Sequence, residues 1–284
     1  MTRVLLTGAS GFLGEKLSLL CEADESIDLR KLARNEVDGD ASFISCDLTK
    51  RSAVTDVINK IEPDVIIHAA AFVPKALTDY NSDLSSTNLQ MVENLIGSTS
   101  AKFINISSMT VYGSSITVVR DERSLLEPQS AYGEVKLEIE NFLMSKCDCS
   151  LSIRIPGLFG AQRKTGLVYN LLRSLNERKK LQLPDGPILW SSMNVSDAAE
   201  SIFKVTKKFI SDRYKLPVIN ISYRDRLSIS RLVRMCEEIY GVDLDYSVDH
   251  PDFEFCLKEL DSLSAVPDIS FRTALLKLKD EYGL

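Results

Sequence analysis

Histidine is scarce in this 284-residue chain, with only His68 and His250 present. No cysteine cluster stands beside either, so no metal site is expected. The six cysteines, at 21, 46, 147, 149, 236 and 256, show no framework spacing. Cys147 and Cys149 would alternate faces of an extended segment, a poor geometry for a bridge. Reduced thiols and a cytoplasmic location are therefore expected. An excess of basic residues is also missing. The formal net charge is −6, which points away from a nucleic-acid surface and leaves any phosphate to local amides and a few cations. The longest apolar runs, such as 65–73, fall far short of the roughly 20 residues that span a bilayer, so no membrane segment is expected. No charged-then-apolar leader precedes the first apolar run. Repeats, low-complexity tracts and linkers are absent.

What is present suits a soluble enzyme-sized unit of two lobes: 44% hydrophobic and 26% charged residues. The first half alternates strand and helix patterns. Strands are expected near 4–7, 27–33, 43–46, 64–68, 103–106 and 151–155. Helices are expected near 11–21, 52–60, 84–96 and 130–144. Such alternation predicts an α/β fold, a Rossmann-type doubly wound parallel sheet with a smaller, interleaved C-terminal lobe. Residues 1–160 are expected to form the dinucleotide-binding domain and residues 161–284 mainly the substrate lobe. The second half is less regular, with helices near 166–176, 195–208 and 228–240 and a turn at Asp185-Gly186-Pro187. A late strand near 217–222 is expected to return to the main sheet.

The organising stretch is Val4-Leu5-Leu6-Thr7-Gly8-Ala9-Ser10-Gly11-Phe12-Leu13-Gly14. An apolar strand runs into a helix through glycines at 8, 11 and 14. Glycine permits a positive φ and lets a phosphate approach the backbone. The N–H groups and positive end of the following helix attract that phosphate, and Gly14 lets the helix close on the sheet. Ligands of such sheets bind beyond the carboxyl ends of the strands. The informative positions are then 7–14 with Ser10, Arg34, Asp47, 68–71, and Ser107 with Ser108.

Tyr132 and Lys136 are four apart in a helical stretch and share one face. A tyrosine must lose about three pKa units to act as acid or base near neutrality. An adjacent ammonium works in that direction. Ser108, at the carboxyl edge of the sheet, is placed to bond a substrate oxygen shared with Tyr132. Ser107 reads as a turn or N-cap serine.

Taken together these pieces resemble the extended short-chain dehydrogenases/reductases, the NAD-dependent epimerase/dehydratase family. The matching segments are the glycine turn, Asp47-Leu48, His68-Ala69-Ala70-Ala71, Asn88, Ser107-Ser108-Met109-Thr110-Val111-Tyr112-Gly113, Tyr132-Gly133-Glu134-Val135-Lys136, the run from Arg154 to Gly160, and Asn194-Val195-Ser196-Asp197. They keep the family's order over roughly the first 200 residues. The resemblance implies Tyr132 as general acid/base, Lys136 holding the nicotinamide ribose, and Ser108 orienting the substrate oxygen. It implies a cofactor site of Gly8, Ser10, Gly11, Phe12, Leu13 and Gly14 at the diphosphate, Asp47 and Leu48 at the adenine, and Ala69, Ala70, Ala71 and Ser107 along the cofactor. Asn88 would brace the sheet nearby. The implied reaction is hydride transfer at a secondary alcohol or ketone of a nucleotide sugar, and family members commonly form homodimers through the helices here near 84–96 and 130–144.

Three departures refine that expectation. The second strand ends at Arg34, with Arg30 and Lys31 close by, where an NAD-preferring unit carries an acidic residue. Arginine can pair with a 2′-phosphate, so NADP is expected over NAD. Family dehydratases carry an acidic pair where this chain has Met109 and Thr110, which argues against elimination of water. Many nucleotide-sugar members carry an arginine where Trp190 stands. Arg163, Lys164, Arg226 and Arg272 are the candidate replacements. A 4-ketoreductase of a nucleotide sugar is the main expectation. The alternatives are an NAD-dependent epimerase, a reductase of a small ketone or aldehyde, and a non-catalytic cofactor-binding subunit.

Overall fold

The computed structural model describes residues 1–37, 40, 42–73, 82–113, 119–177, 188–212, 214, 216–242, 244 and 250–282. The turn expected at Asp185-Gly186-Pro187 lies outside the described residues. In chain order the elements are β1 (Thr2–Thr7), α1 (Phe12–Glu22), β2 (Ile27–Ala33), β3 (Phe43–Ser45), α2 (Arg51–Ile61), β4 (Val65–His68), α3 (Ser82–Ile96) and β5 (Lys102–Ser108). A 3₁₀ turn at Met109–Val111 follows. Then come β6 (Val119–Arg120), α4 (Ala131–Lys146), β7 (Ser150–Ile155), β8 (Gly157–Phe159), α5 (Leu167–Asn176), β9 (Ser192–Asn194), α6 (Val195–Ile210) and β10 (Val218–Asn220). The chain closes with α7 (Ile229–Tyr240), β11 (Glu254–Phe255), α8 (Lys258–Ser262) and α9 (Phe271–Tyr282).

A seven-stranded sheet runs β3-β2-β1-β4-β5-β7-β10, with every pairing parallel. The central strands carry apolar runs, Val4, Leu5 and Leu6 in β1 and Val65, Ile66 and Ile67 in β4, because both faces are covered there. Side chains alternate across the pleat. Val4 and Leu6 of β1, Val65 and Ile67 of β4, and Ile104 and Ile106 of β5 face one core, which Leu13 and Leu17 of α1 and Ile202 and Val205 of α6 complete. Leu5, Ile66 and Phe103 face the opposite core with Val54 of α2, Val92 of α3 and Ile139 of α4. The expected Rossmann-type α/β architecture is therefore the observed one.

Strand order reverses between β1 and β4, so a crevice opens at the carboxyl ends of these strands. Two short pairings lie off the main sheet. The β8–β9 pair carries the chain after β7 across that crevice. The β6–β11 pair ties the segment after β5 to the C-terminal part. Behind the β8–β9 wall, the fully buried Phe271 ring makes edge contacts with Phe159 at 5.5 Å and Trp190 at 5.8 Å. Such aromatic pairs fix wall geometry as well as burying area.

Candidate active site

The β1–α1 turn needs glycine at two positions. Gly8 has φ +68, in the left-handed region. A Cβ on Gly14 would lie 2.0 Å from the Gly8 carbonyl oxygen, so the start of α1 closes directly on the turn. No side chain caps α1 at Gly11, which leaves its first amides and the positive helix end for an anion. These residues fit a dinucleotide diphosphate, because any side chain at position 14 would fill the cradle.

Thr7 at the end of β1 connects the turn to the neighbouring strand. Its hydroxyl lies 2.9 Å from His68 Nδ1, and the amides of Ala69 and Ala70 approach Thr7 oxygens. Burial drives His68 down to about 3, with the Lys136 charge adding to the shift. The imidazole is thus neutral at physiological pH. Asn88 holds the next stretch: its carboxamide accepts from the Phe72 amide at 2.9 Å and donates to the Phe72 carbonyl at 3.1 Å.

Across the crevice, Ser108 ends β5 and caps the 3₁₀ turn. Its oxygen accepts from the Thr110 amide at 3.2 Å and from the Thr110 hydroxyl at 2.9 Å. The Ser108 proton has no acceptor among the described residues, although the residue is only 8% exposed. The helix α4 packs on this turn, and its N-cap Ser130 accepts from the Gly133 amide at 3.1 Å. One turn in, Lys136 is buried and donates to the Ile106 carbonyl at 2.8 Å. Its nitrogen lies 5.6 Å from the centre of the Tyr132 ring. Burial pulls the Lys136 ammonium down to about 8, and Glu140 opposes that shift.

Glu140, four residues on, anchors this region. It is 1% exposed and forms a bidentate pair with the 2% exposed Arg154, with nitrogen–oxygen distances of 2.6 Å and 3.0 Å. Arg154 also donates to the Tyr112 hydroxyl at 2.8 Å, which in turn bonds Asn220 of β10. Ser107 donates to Glu140. The cap expected of Ser107 is therefore made by Ser108, because β5 runs through both serines and turns only after the second.

One cavity of about 760 Å³ collects these parts, a size typical of ligand clefts. Gly8, Gly11, Phe12, Leu13 and Gly14 line one side, with Ala69 and Ala71. Ser107, Ser108, Tyr132 and Lys136 line the middle. Gly157, Arg163, Trp190 and Ser192 complete the lining, with the Arg163 guanidinium 5.7 Å from the Phe12 ring centre. Ser10, Arg34, Asp47, Leu48, Ala70 and Asn88 are not on this cavity's wall. Ser10 is exposed in the turn. Ala70 sits behind Gly8, whose absent Cβ would meet the Ala70 amide at 2.6 Å. The Asp47 carboxylate accepts from the Thr49 amide and hydroxyl, which lowers its pKa, while the Leu48 carbonyl takes a bond from Asn94.

Arg34, just past β2, is exposed, with its guanidinium 5.3 Å from the Phe72 ring centre. It makes no ion pair among the described residues, whereas Arg30 pairs with Asp28 and Lys31 with Glu22 and Asp40. Sequence reasoning missed Glu140 and Thr110. Glu140 was visible as an acidic residue one helical turn beyond Lys136; nothing in the sequence singled out Thr110.

A parallel sheet with an uncapped glycine turn at its switch point, facing a Ser-Tyr-Lys cluster, defines a dinucleotide-dependent enzyme of the α/β class. The chain belongs to the NAD-dependent epimerase/dehydratase family, whose model matches residues 4–221, and so to the extended short-chain dehydrogenases/reductases. It is 25% identical over 214 residues to dTDP-4-dehydrorhamnose reductase of Aggregatibacter actinomycetemcomitans, covering 74% of this chain and 69% of that protein. It is 25% identical over 248 residues to GDP-6-deoxy-D-talose 4-dehydrogenase of the same species, covering 84% and 80%. The fold matches UDP-glucose 4-epimerase of Thermotoga maritima, solved with UDP-glucose, with a TM-score of 0.82 over 99% of both chains at 16% identity. Among the described residues no helix is long and apolar enough to cross a membrane.

Proposed function

We propose that the protein is a cytoplasmic, NADP-preferring reductase of a 4-keto nucleotide sugar. The observation that carries this reading is the meeting of Ser108, Tyr132 and Lys136 on the lining of the same cavity as the glycine turn. The bound dinucleotide supplies the hydride. Tyr132 delivers a proton to the ketone oxygen as charge develops on it. Ser108, its oxygen already accepting twice from Thr110, donates its own proton to that same oxygen. Lys136 spends one N–H on Ile106 and keeps two for ribose hydroxyls. Its charge favours the phenolate that Tyr132 leaves behind.

Met109 and Thr110 line the cavity beside Ser108, and neither is a carboxylic acid able to protonate a leaving hydroxyl. That supports reduction over dehydration. The six free thiols suit a reducing compartment. A homodimer through α3 and α4, which pack side by side, belongs to the same reading. Light scattering at micromolar concentration is expected to give twice the chain mass; a monomer removes that part.

The NADP preference is supported by Arg34, the cation left without an ion pair beside β2. A bidentate charge-assisted pair with a 2′-phosphate is worth about 1.5–3 kcal/mol, or roughly 10- to 100-fold. Arg34→Glu is expected to lower the NADPH-to-NADH ratio of kcat/KM by that factor. A wild-type protein that prefers NADH contradicts the assignment. The functional reading itself is tested by analysing the nucleotide retained on purification and then assaying NADPH oxidation with dTDP-, GDP- and UDP-linked 4-keto sugars. Exchangeable NADPH and turnover support it. Tightly retained NAD with inversion at C4 makes the protein an epimerase instead. Turnover confined to small ketones removes the sugar from the account.

A further inference from the structure

The 3₁₀ turn at Met109–Val111 does more than reverse the chain after β5. A serine hydroxyl has one proton and two lone pairs. On Ser108 both lone pairs are taken by one residue: the Thr110 amide donates at 3.2 Å and the Thr110 hydroxyl at 2.9 Å. The bond from the amide is the ordinary cap of the turn. The bond from the hydroxyl is additional, since the cap is complete without it. Together they leave Ser108 only its proton to offer, and that proton has no acceptor among the described residues. The free rotation of a lone hydroxyl is thus removed before any substrate arrives.

The same residue seats Tyr132. A Cβ on Gly133 would fall 2.3 Å from the Thr110 carbonyl oxygen and 2.9 Å from the Pro128 Cβ. Glycine is a poor helix former, and at position 133 it lets the first turn of α4 rest directly on the Thr110 peptide. Tyr132 is the residue before that glycine. Ser108, Thr110 and Tyr132 all line the cavity. Thr110 therefore touches both halves of the pair: its donors hold Ser108, and its carbonyl meets the helix that carries Tyr132.

We propose that Thr110 is a positioning residue for the reaction: its hydroxyl locks Ser108 as a donor-only group aimed at the substrate oxygen that Tyr132 protonates. The inference deepens the reductase reading and rests on it for the identity of that oxygen. A ketone oxygen gains negative charge as hydride arrives, so a donor held toward it strengthens most in the transition state and needs no reorganisation at that moment. Without the Thr110 hydroxyl, the Ser108 oxygen regains a lone pair and its proton is free to turn away.

The test is a double-mutant cycle between positions 108 and 110, read as separate kcat and KM values. The substrates are dTDP-, GDP- and UDP-linked 4-keto sugars and a small cyclic ketone. Thr110→Val keeps the branched shape and the turn amide and removes only the hydroxyl. It is expected to lower kcat about 10-fold with KM within about threefold, less than the roughly 10²- to 10³-fold that loss of a whole oxyanion donor costs. Thr110→Ser restores the hydroxyl and is expected to return kcat to within about threefold of wild type. In a Ser108→Ala background, Thr110→Val is expected to cost less than about twofold, because the group it positions is gone. NADPH affinity within about threefold reports that each variant is folded.

A Thr110→Val loss that persists in full beside Ser108→Ala gives Thr110 a structural or direct role and overturns the proposal. An unchanged kcat, or a change confined to KM, overturns it as well. Coupling seen only with the small ketone leaves the role of Thr110 standing and removes the nucleotide sugar. Keto-sugar turnover without coupling keeps the reductase reading and overturns the role. A wild-type protein that reduces none of these ketones overturns both.

Discussion

Tyr132→Phe is expected to lower kcat for ketone reduction about 10³-fold, with NADPH affinity unchanged. The substitution removes one oxygen and keeps the ring, so the partly buried packing of Tyr132 against its core persists. What is lost is the only hydroxyl on α4 that shares a face with Lys136. Ser108 keeps its hydrogen-bond donor, but a serine hydroxyl is too weak an acid to supply the proton in the transition state. The remaining rate then comes from orientation and from the Ser108 bond. Stopped-flow NADPH oxidation with a 4-keto nucleotide sugar measures the loss directly. A variant within threefold of wild type would remove Tyr132 from the chemistry.

The second large effect falls on stability. Glu140→Ala is expected to destabilise the protein by about 3–5 kcal/mol, because it leaves the Arg154 guanidinium buried without its counter-charge. The pair is 1% and 2% exposed and is bidentate, so water cannot replace the lost carboxylate. Ser107 also loses its acceptor. The damage is expected to reach the site, since Glu140 opposes the burial shift of Lys136. Arg154 further ties Tyr112 and, through it, Asn220 of the edge strand. Urea unfolding with Glu140→Gln as the partner variant checks this. Glutamine keeps a hydrogen bond to Arg154 without the charge, so an intermediate loss is expected. A loss below about 1 kcal/mol for Glu140→Ala would mean that Arg154 finds another partner.

The parts of this site that were legible in the sequence are the local ones. The turn after β1 declares itself because Gly14 answers a steric demand set by Gly8 and Ala9 and Gly8 takes a positive φ, although the Gly8 site is also closed by Ala70 just past the end of β4. The Tyr132–Lys136 pair follows from helical spacing. The strands β1, β4 and β5 stand out by the apolar residues at their centres, Val4 to Leu6, Val65 to Ile67 and Phe103 with Ile104, which are buried on both faces. What could not be read is what the tertiary arrangement alone decides. The strands of β8–β9 and β6–β11 are two or three residues long, too short for a periodicity, yet β8–β9 lines the cavity. The choice among Arg163, Lys164, Arg226 and Arg272 depends on which of them has a carboxylate nearby in space. The cap expected of Ser107 falls to Ser108, and Ser107 bonds Glu140 instead, because β5 extends two residues further than its apolar run.

The central claim is that hydride passes to C4 of a nucleotide sugar beside Ser108, Tyr132 and Lys136. Its most direct test is a reaction with NADPH deuterated at nicotinamide C4, on each face in turn, and a dTDP-, GDP- or UDP-linked 4-keto sugar. The account predicts deuterium at sugar C4 from one of the two labelled faces, one equivalent per NADPH consumed, and none with Tyr132→Phe on the same timescale. Sugar product that carries no deuterium from either face, or C4 inversion without net NADPH consumption, would contradict it.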